Sequence, residues 1–538
     1  MTRARVIVLA FDAMDAPTTT AMVRRGDLPA FSRLLQGAAT ARTVPPYGLY
    51  VSGLWPSLVT GWAPDRTGYI CWEEIVPGTY ERRMTTVDSI RGVPFWRALR
   101  NAGRRAAIVD VPHSVAEDLG DGVHISEWGC HDRHVGLRIE PAAARDEVLS
   151  RFGTHPVLGV DALDLPNYAP DDYVYRAGPL RVAAEERALL DGLLAGAAAK
   201  ERLSTHLLAA GGWDLFMSVC GEAHGVGHQQ WYLHDAGDPR HDAALTHQLG
   251  DPVEAVYRRM DGVLESHLAL ADADSVVIVL LSHGMGSHHD GTHLLSEVVR
   301  RLDTARHGRL ERSAAGRAAA RAWSLVPPAA MGAAGAAAAG ALRRRLRARP
   351  PVPVREHDND DDRRRAHAFM APNNSVIAGI RLNLAGREPH GLVAPGREAN
   401  EELAWLEAAL GRLVNVRSGR PVFAAVERSD RRYRRHAGDA VPDLLMEWNR
   451  EVPTETVWSP DIGVVYRPYD HWRSGDHRPH GLLIASAPGL RSTVMPDVDI
   501  VDIGPTLAAM TGVTLDDTDG RPVRWLASLA AVPGAAAR

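Results

Sequence analysis

The sequence predicts an α/β protein: a mostly parallel central sheet with helices on both faces, carrying inserted loops or a subdomain. Three observations predict it. Short aliphatic runs recur along the chain, each bounded by a polar residue together with Gly or Asp. Segments of helical composition alternate with these runs, the succession that covers both faces of a sheet. The runs also end in His, Asp or Ser, at the strand ends where α/β proteins place their active sites.

The elements follow in order. Val6–Phe11 is a strand leading into Asp12. Gly26-Asp27-Leu28-Pro29 opens a helix to Leu35, with proline near the first turn, where a missing N–H costs nothing. Pro94 to Leu99 continues into a helix that stops at Gly103, before the strand Ala106–Val111. Residues 131–185, rich in Pro, Asp and Tyr, form a long surface excursion. Glu185–Leu208 is a helix by its Ala/Leu content and leads to the apolar run Trp213–Cys220. That run emerges into Glu222-Ala223-His224-Gly225-Val226-Gly227-His228, read here as a turn. Val276–Leu281 leads into Ser282-His283-Gly284-Met285-Gly286, and Gly475-Asp476-His477-Arg478-Pro479 precedes the run Gly481–Ala485. A closing helix runs from Asp502 to Met510.

Between 303 and 374 the composition changes. Ala- and Arg-rich sequence gives way to Pro350-Pro351-Val352-Pro353 and then to the mixed-charge stretch 358–365. A helix followed by a mobile, solvated linker is expected there, in preference to a partner-binding arm. The chain therefore divides into a first core part at 1–302, an insertion or linker at 303–374, and a closing core part at 375–538.

With 45% hydrophobic and 24% charged residues, the chain has the composition of a soluble globular protein. Its net charge of −5 argues neither for nucleic acid nor for an anionic membrane as the main partner, and none is expected. Arginine abounds while Lys200 is the only lysine, a bias that reads as genomic base composition. Three scattered cysteines, Cys71, Cys130 and Cys220, make neither a disulfide framework nor a cysteine zinc site. No window reaches the roughly 18 apolar residues of a membrane span, and the N-terminal apolar run is short of a secretory signal. A cytoplasmic location is expected; nothing sets an oligomeric state.

His224 and His228, four apart, can point the same way toward a shared metal ion. Singly, each strand-end His or Asp is a capping or loop residue. Together, the sites at Asp12, His224 and His228, Ser282 and His283, and His477 read as one assembled metal centre.

These stretches resemble the alkaline phosphatase superfamily, in its type I phosphodiesterase/nucleotide pyrophosphatase branch. The likeness rests on Phe11-Asp12-Ala13-Met14-Asp15, Trp55-Pro56-Ser57-Leu58-Val59-Thr60-Gly61, Gly221 to Trp231, Ser282 to Gly286, Leu382 to Pro389 and Gly475 to Pro479. Val501-Asp502-Ile503-Gly504-Pro505-Thr506 resembles the family's closing helix start. The resemblance implies an alkaline phosphatase-like fold and two metal ions, usually zinc. One would be held by His224, His228 and His477, the other by Asp12, Ser282, His283 and the hydroxyl of a Thr or Ser nucleophile that forms a covalent intermediate. The family's commonest spacing back from Thr60-Gly61 lands on Val51. Ser52 is taken as the nucleophile, by a one-residue contraction; the alternative is that Ser52 turns the chain before Gly53.

Two positions depart from the family, which commonly has Asp where His224 stands and Asp-His where Ser282-His283 stands. Three histidines still make a good zinc site, with manganese or iron as alternatives. Ser282 is a poor ligand unless ionised. Two dications beside one carboxylate leave roughly +3 uncompensated, for which Asp15, Asp290 and Asp476 are the nearest candidate acids. His288, His289 and His293 could complete a rearranged site, but exposed loop histidines are the preferred reading. Cys71 lacks the sulfatase context, being followed by Trp72-Glu73-Glu74, and residues 68–72 lack the asparagine that many nucleotide pyrophosphatases place there.

The expected function is metal-dependent hydrolysis of a phosphodiester, phosphomonoester or phosphonate small molecule by way of Ser52. The alternatives are a degenerate member that binds metal or an anionic ligand without turnover, and a phosphoryl-transfer or isomerase enzyme. An anionic small molecule is the expected partner.

Overall fold

Val6–Phe11 divides its side chains between two apolar layers, as the two-residue period of a strand requires. Ile7, Leu9 and Phe11 enter one layer with Phe31, Leu190 and Val253. Val6, Val8 and Ala10 enter the other with Leu54, Phe95 and Leu507. The strand is thus buried on both faces, which is why it reads as an unbroken aliphatic run.

A computed structural model describes residues 4–129, 135–156, 182–308, 314–354, 359–374, 376–434, 440–469 and 473–531. Among these, Val6–Phe11 sits near the middle of a ten-stranded sheet. Its parallel neighbours are Leu215–Cys220 and Val276–Leu281. Beyond Leu215–Cys220 come Ala106–Val109 and Val123–Ser126, both parallel, and then Arg138–Glu140 as an antiparallel edge. Beyond Val276–Leu281 comes Gly481–Ser486, antiparallel to both that strand and Ala38–Val44. The mostly parallel sheet with helices on both faces is as the sequence predicts.

A smaller antiparallel sheet packs separately, in the order Ala368–Ala371, Ile377–Leu382, Leu444–Trp448 and Phe423–Arg428. Its apolar face closes against helices Thr292–His307 and Arg397–Leu410 through Val298, Leu302, Leu406 and Leu410.

The structure corrects the sequence reading at several points. His224 and His228 lie on a helix, Glu222–His234, and not on a turn. Much of the 131–185 excursion falls outside the described residues; what is described includes strand Arg138–Glu140 and helix Ala144–Phe152. Within 303–374, helices Ala314–Ser324 and Met331–Ala348 are followed by a third, Asp360–Arg365, where a linker is expected. Its acids lie in the first turn and its arginines in the last, which suits the helix dipole, and Asn359 caps it. No single helix among the described residues is long and apolar enough to cross a membrane; Ala318–Ser324 with Pro328–Ala348 meets the test only as a pair bent by 106°.

The sole lysine is structural. Lys200, fully buried on helix Ala183–Ala210, pairs with Asp110, which also accepts from Trp128 N at 2.7 Å and Gly129 N at 2.6 Å. Removing one partner strands the other as a buried charge. Lys200→Ala is therefore expected to cost about 3–5 kcal/mol in urea unfolding, and a loss under ~1 kcal/mol would show that Asp110 needs no cation.

Candidate metal centre and nucleophile

Helix Glu222–His234 begins directly after strand Leu215–Cys220, so one helical turn carries His224 and His228 on one face at the carboxyl edge of the sheet. His477 arrives from a two-stranded ribbon in which Gly475–Arg478 runs antiparallel to Gly284–Ser287. Strand alternation turns His477 to the opposite face from Asp476 and Arg478. Helix and ribbon meet through glycine. A Cβ on Gly475 would lie 2.2 Å from the carbonyl oxygen of Gly227. This close approach brings the three imidazoles together.

Their Nε2 atoms converge at 3.2 Å (His224–His477), 3.1 Å (His228–His224) and 3.1 Å (His228–His477). All three residues are buried. The hydrogen bonds on the far side of two rings set their tautomers. His228 Nδ1–H donates to the Gly475 carbonyl at 2.8 Å, leaving a lone pair on Nε2. For His477 the assignment runs through a chain. The Ser282 hydroxyl donates to Asp12 Oδ1 at 2.7 Å. With that proton committed, the 2.8 Å contact between Ser282 Oγ and His283 Nδ1 has His283 as donor. His283 Nε2 then accepts from His477 Nδ1–H at 2.6 Å, and His477 Nε2 carries a lone pair. Trp55 Nε1–H and Ala13 N–H anchor the chain at Asp12 Oδ1 and Ser282 Oγ, each at 3.1 Å.

Opposed lone pairs at this spacing repel unless a cation lies between them. The donor set, three neutral imidazoles in a buried site, fits a zinc-like ion. All six predicted metal residues thus fall in one connected network. His224, His228 and His477 converge on one point, while Asp12, Ser282 and His283 are hydrogen-bonded in series behind His477.

Ser52 lies in the first turn of helix Tyr50–Thr60, buried at 6% exposure. That helix touches the centre twice: Tyr50 OH donates to the His477 carbonyl at 3.4 Å, and Trp55 reaches Asp12. Ser57 and Thr60 belong to the same helix, where the Thr60 hydroxyl donates to the Pro56 carbonyl at 2.7 Å. The Ser52 hydroxyl meets a residue that the sequence reading missed. Asn374 Nδ2 approaches Ser52 Oγ at 3.4 Å, from the turn between the first two strands of the smaller sheet. An Asn373-Asn374 pair before an apolar run was the available signal, but nothing local ties it to a residue 322 positions away.

The acids considered for charge balance have other work. Asp15 caps helix Ala16–Arg25, accepting from Thr18 N at 2.9 Å, and burial raises its pKa. Asp290 and Asp476 both pair with His288, the latter at 3.3 Å. His288 and His289 are buried, not the exposed loop residues expected: His288 N–H extends the ribbon to the Ser474 carbonyl at 3.0 Å, and Tyr469 covers the backbone.

The family model for type I phosphodiesterase / nucleotide pyrophosphatase matches residues 6–481, which takes in every residue of this centre. The protein is a hydrolase by family: the chain belongs to the type I phosphodiesterase/nucleotide pyrophosphatase family, as the resemblance implied. Among solved structures it is similar to phosphonoacetate hydrolase from Sinorhizobium meliloti 1021 in complex with phosphonoformate, at 14% identity and TM-score 0.48, covering 95% of this chain and 96% of that one. Human ectonucleotide pyrophosphatase/phosphodiesterase 5 gives 11% identity and TM-score 0.48, covering 98% and 99%. Its murine counterpart in complex with AMP gives 11% and 0.47 at the same coverage. No curated protein sequence matches the chain.

The glycine contact generates a test. Gly475→Ala must push the ribbon off Gly227 O and separate His477 from His228. Metal affinity, measured by chelator competition, is expected to fall roughly 10- to 100-fold, the scale on which supports of metal ligands act. Unchanged affinity would mean that the ribbon yields without moving the histidine.

Proposed function

We propose that this protein hydrolyses a phosphodiester, phosphomonoester or phosphonate of small-molecule size, with Ser52 as nucleophile and a transition metal, zinc first, held by His224, His228 and His477. The convergence of three buried Nε2 atoms, two with lone pairs set by their outer hydrogen bonds, carries the reading. When bound, the ion supplies Lewis-acid stabilisation of charge on the phosphoryl group. Three neutral imidazoles leave a dication's charge largely uncompensated, which favours an anionic substrate.

The chain's own residues supply the rest. Ser52 stands in the first turn of its helix, where free N–H groups and the helix dipole favour negative charge on an attacking oxygen or a phosphoryl group. The Asn374 amide can donate to the same charge as it develops. Asp12, through Ser282 and His283, holds His477 in its ligating tautomer. A second ion on those three residues would have to displace their mutual hydrogen bonds, so one ion is taken as the tightly held complement of the centre.

Elemental analysis combined with turnover of an aryl phosphodiester, a phosphomonoester and a phosphonate tests the reading. His228→Ala should lose the ion and the activity together. Bound metal with no turnover of any substrate would favour the ligand-binding alternative. Ser52→Ala should lower the rate by several orders of magnitude with metal content unchanged. A rate within about tenfold of wild type, ~1.4 kcal/mol of barrier, would reject Ser52.

Asn374→Ala, if that amide steadies the transition state, should lower kcat by about 10²-fold with little change in KM. An equal loss in binding alone would make Asn374 a substrate contact only.

A further inference from the structure

We propose a second metal site, outside the catalytic centre, formed by Asp303, His307 and His367 with Glu402 as fourth donor. It clamps together the two ends of segment 308–366, which lies within the 303–374 insertion.

Asp303 and His307 lie one turn apart at the end of helix Thr292–His307, where the chain leaves for the insertion. His367 stands where the chain returns, immediately before strand Ala368–Ala371. Candidate ligand atoms of these three residues all lie within 4.8 Å of one another. Glu402, from helix Arg397–Leu410, borders this group at His307: its Oε1 is 3.1 Å from His307 Nε2.

Several features favour an ion over a plain polar contact. Two imidazoles and two carboxylates are a donor set suited to zinc. The two carboxylate charges match a dication, which the all-histidine catalytic site cannot do. Glu402 is nearly buried, with side-chain exposure of 5%, and Arg306 holds its second oxygen at 3.0 Å, so it is preset toward His307. Asp303 is likewise fixed, accepting from His367 N at 2.8 Å. The two rings lie nearly parallel, with centroids 3.6 Å apart. Sharing an ion requires them to splay, and side-chain exposures of 28% for His307 and 25% for His367 leave room for it and admit the ion from solvent.

The consequence is mechanical. Asp303 and His367 are 64 positions apart. Joining them through an ion closes the loop at its neck and stabilises the folded state through the entropy taken from the unfolded chain.

The test uses full-length protein stripped with a chelator and titrated with zinc. In wild type, zinc should protect both His307 and His367 from diethyl pyrocarbonate, mapped by mass spectrometry, at least fivefold. The double variant His307→Ala/His367→Ala should hold one ion fewer per chain, while turnover stays within about twofold of wild type. Asp303→Asn should weaken the protection without removing either histidine. Equal modification of the two histidines with and without zinc, or equal ion content in wild type and double variant, would overturn the proposal. Because the mapping is done on wild type, a poorly folding variant does not shelter it. Because its readout is not turnover, its failure is separate from failure of the hydrolase reading.

Discussion

Three imidazole nitrogens held about 3.1 Å apart in a buried pocket are the constraint on which the site depends. Such an arrangement is unfavourable by itself: each ring is desolvated, and at least two lone pairs face one another. It persists because the surroundings over-determine it. Gly475 lets the ribbon rest on the backbone of helix Glu222–His234 at Gly227, and the Gly475 carbonyl then takes the proton of His228. One contact therefore sets both the distance and the tautomer.

The same economy operates behind His477. Where the family commonly has a second-site aspartate, Ser282 stands between Asp12 and His283 and passes hydrogen bonds in one direction, from His477 outward to the carboxylate. Asp12 is thus linked to His477 through two intervening side chains, with Ser282 donating to the carboxylate and accepting from His283.

Much of the fold was legible because the central strands are buried on both faces and so appear as uninterrupted aliphatic runs. The residues of the candidate centre were easy to single out because each sits directly after such a run or beside one. The failures have equally definite causes. Helix Glu222–His234 reads as a turn because Gly225 and Gly227 are poor helix formers, and the need for close packing overrides that propensity. Ala368–Ala371 is too short and featureless to announce a strand; its pairing with Ile377–Leu382 creates it. His288 and His289 look exposed because their loop is polar, but the ribbon extends past it and buries them with Asp290, Asp476 and Asp238. Asn374 was invisible because its partner is brought to it only where helix Tyr50–Thr60 packs on the smaller sheet, through Tyr50, Ile377 and Leu445.

Helix Tyr50–Thr60 carries both positions that the family spacing leaves open, Val51 and Ser52. Successive residues on a helix differ by roughly 100° in direction, so positions 51 and 52 cannot both face the centre. Tyr50 and Trp55 pin the rotation of this helix by their hydrogen bonds to the His477 carbonyl and to Asp12. In that rotation Val51 packs at the edge of an apolar cluster that includes Leu49, Ile70 and Leu445. The Ser52 hydroxyl turns instead toward the amide of Asn374, in a pocket with no other hydrogen-bond partner for it among the described residues. A buried hydroxyl left with one long contact is poorly satisfied, and that contact, not the helix rotation, is the observation behind choosing Ser52 over Val51 as the proposed nucleophile.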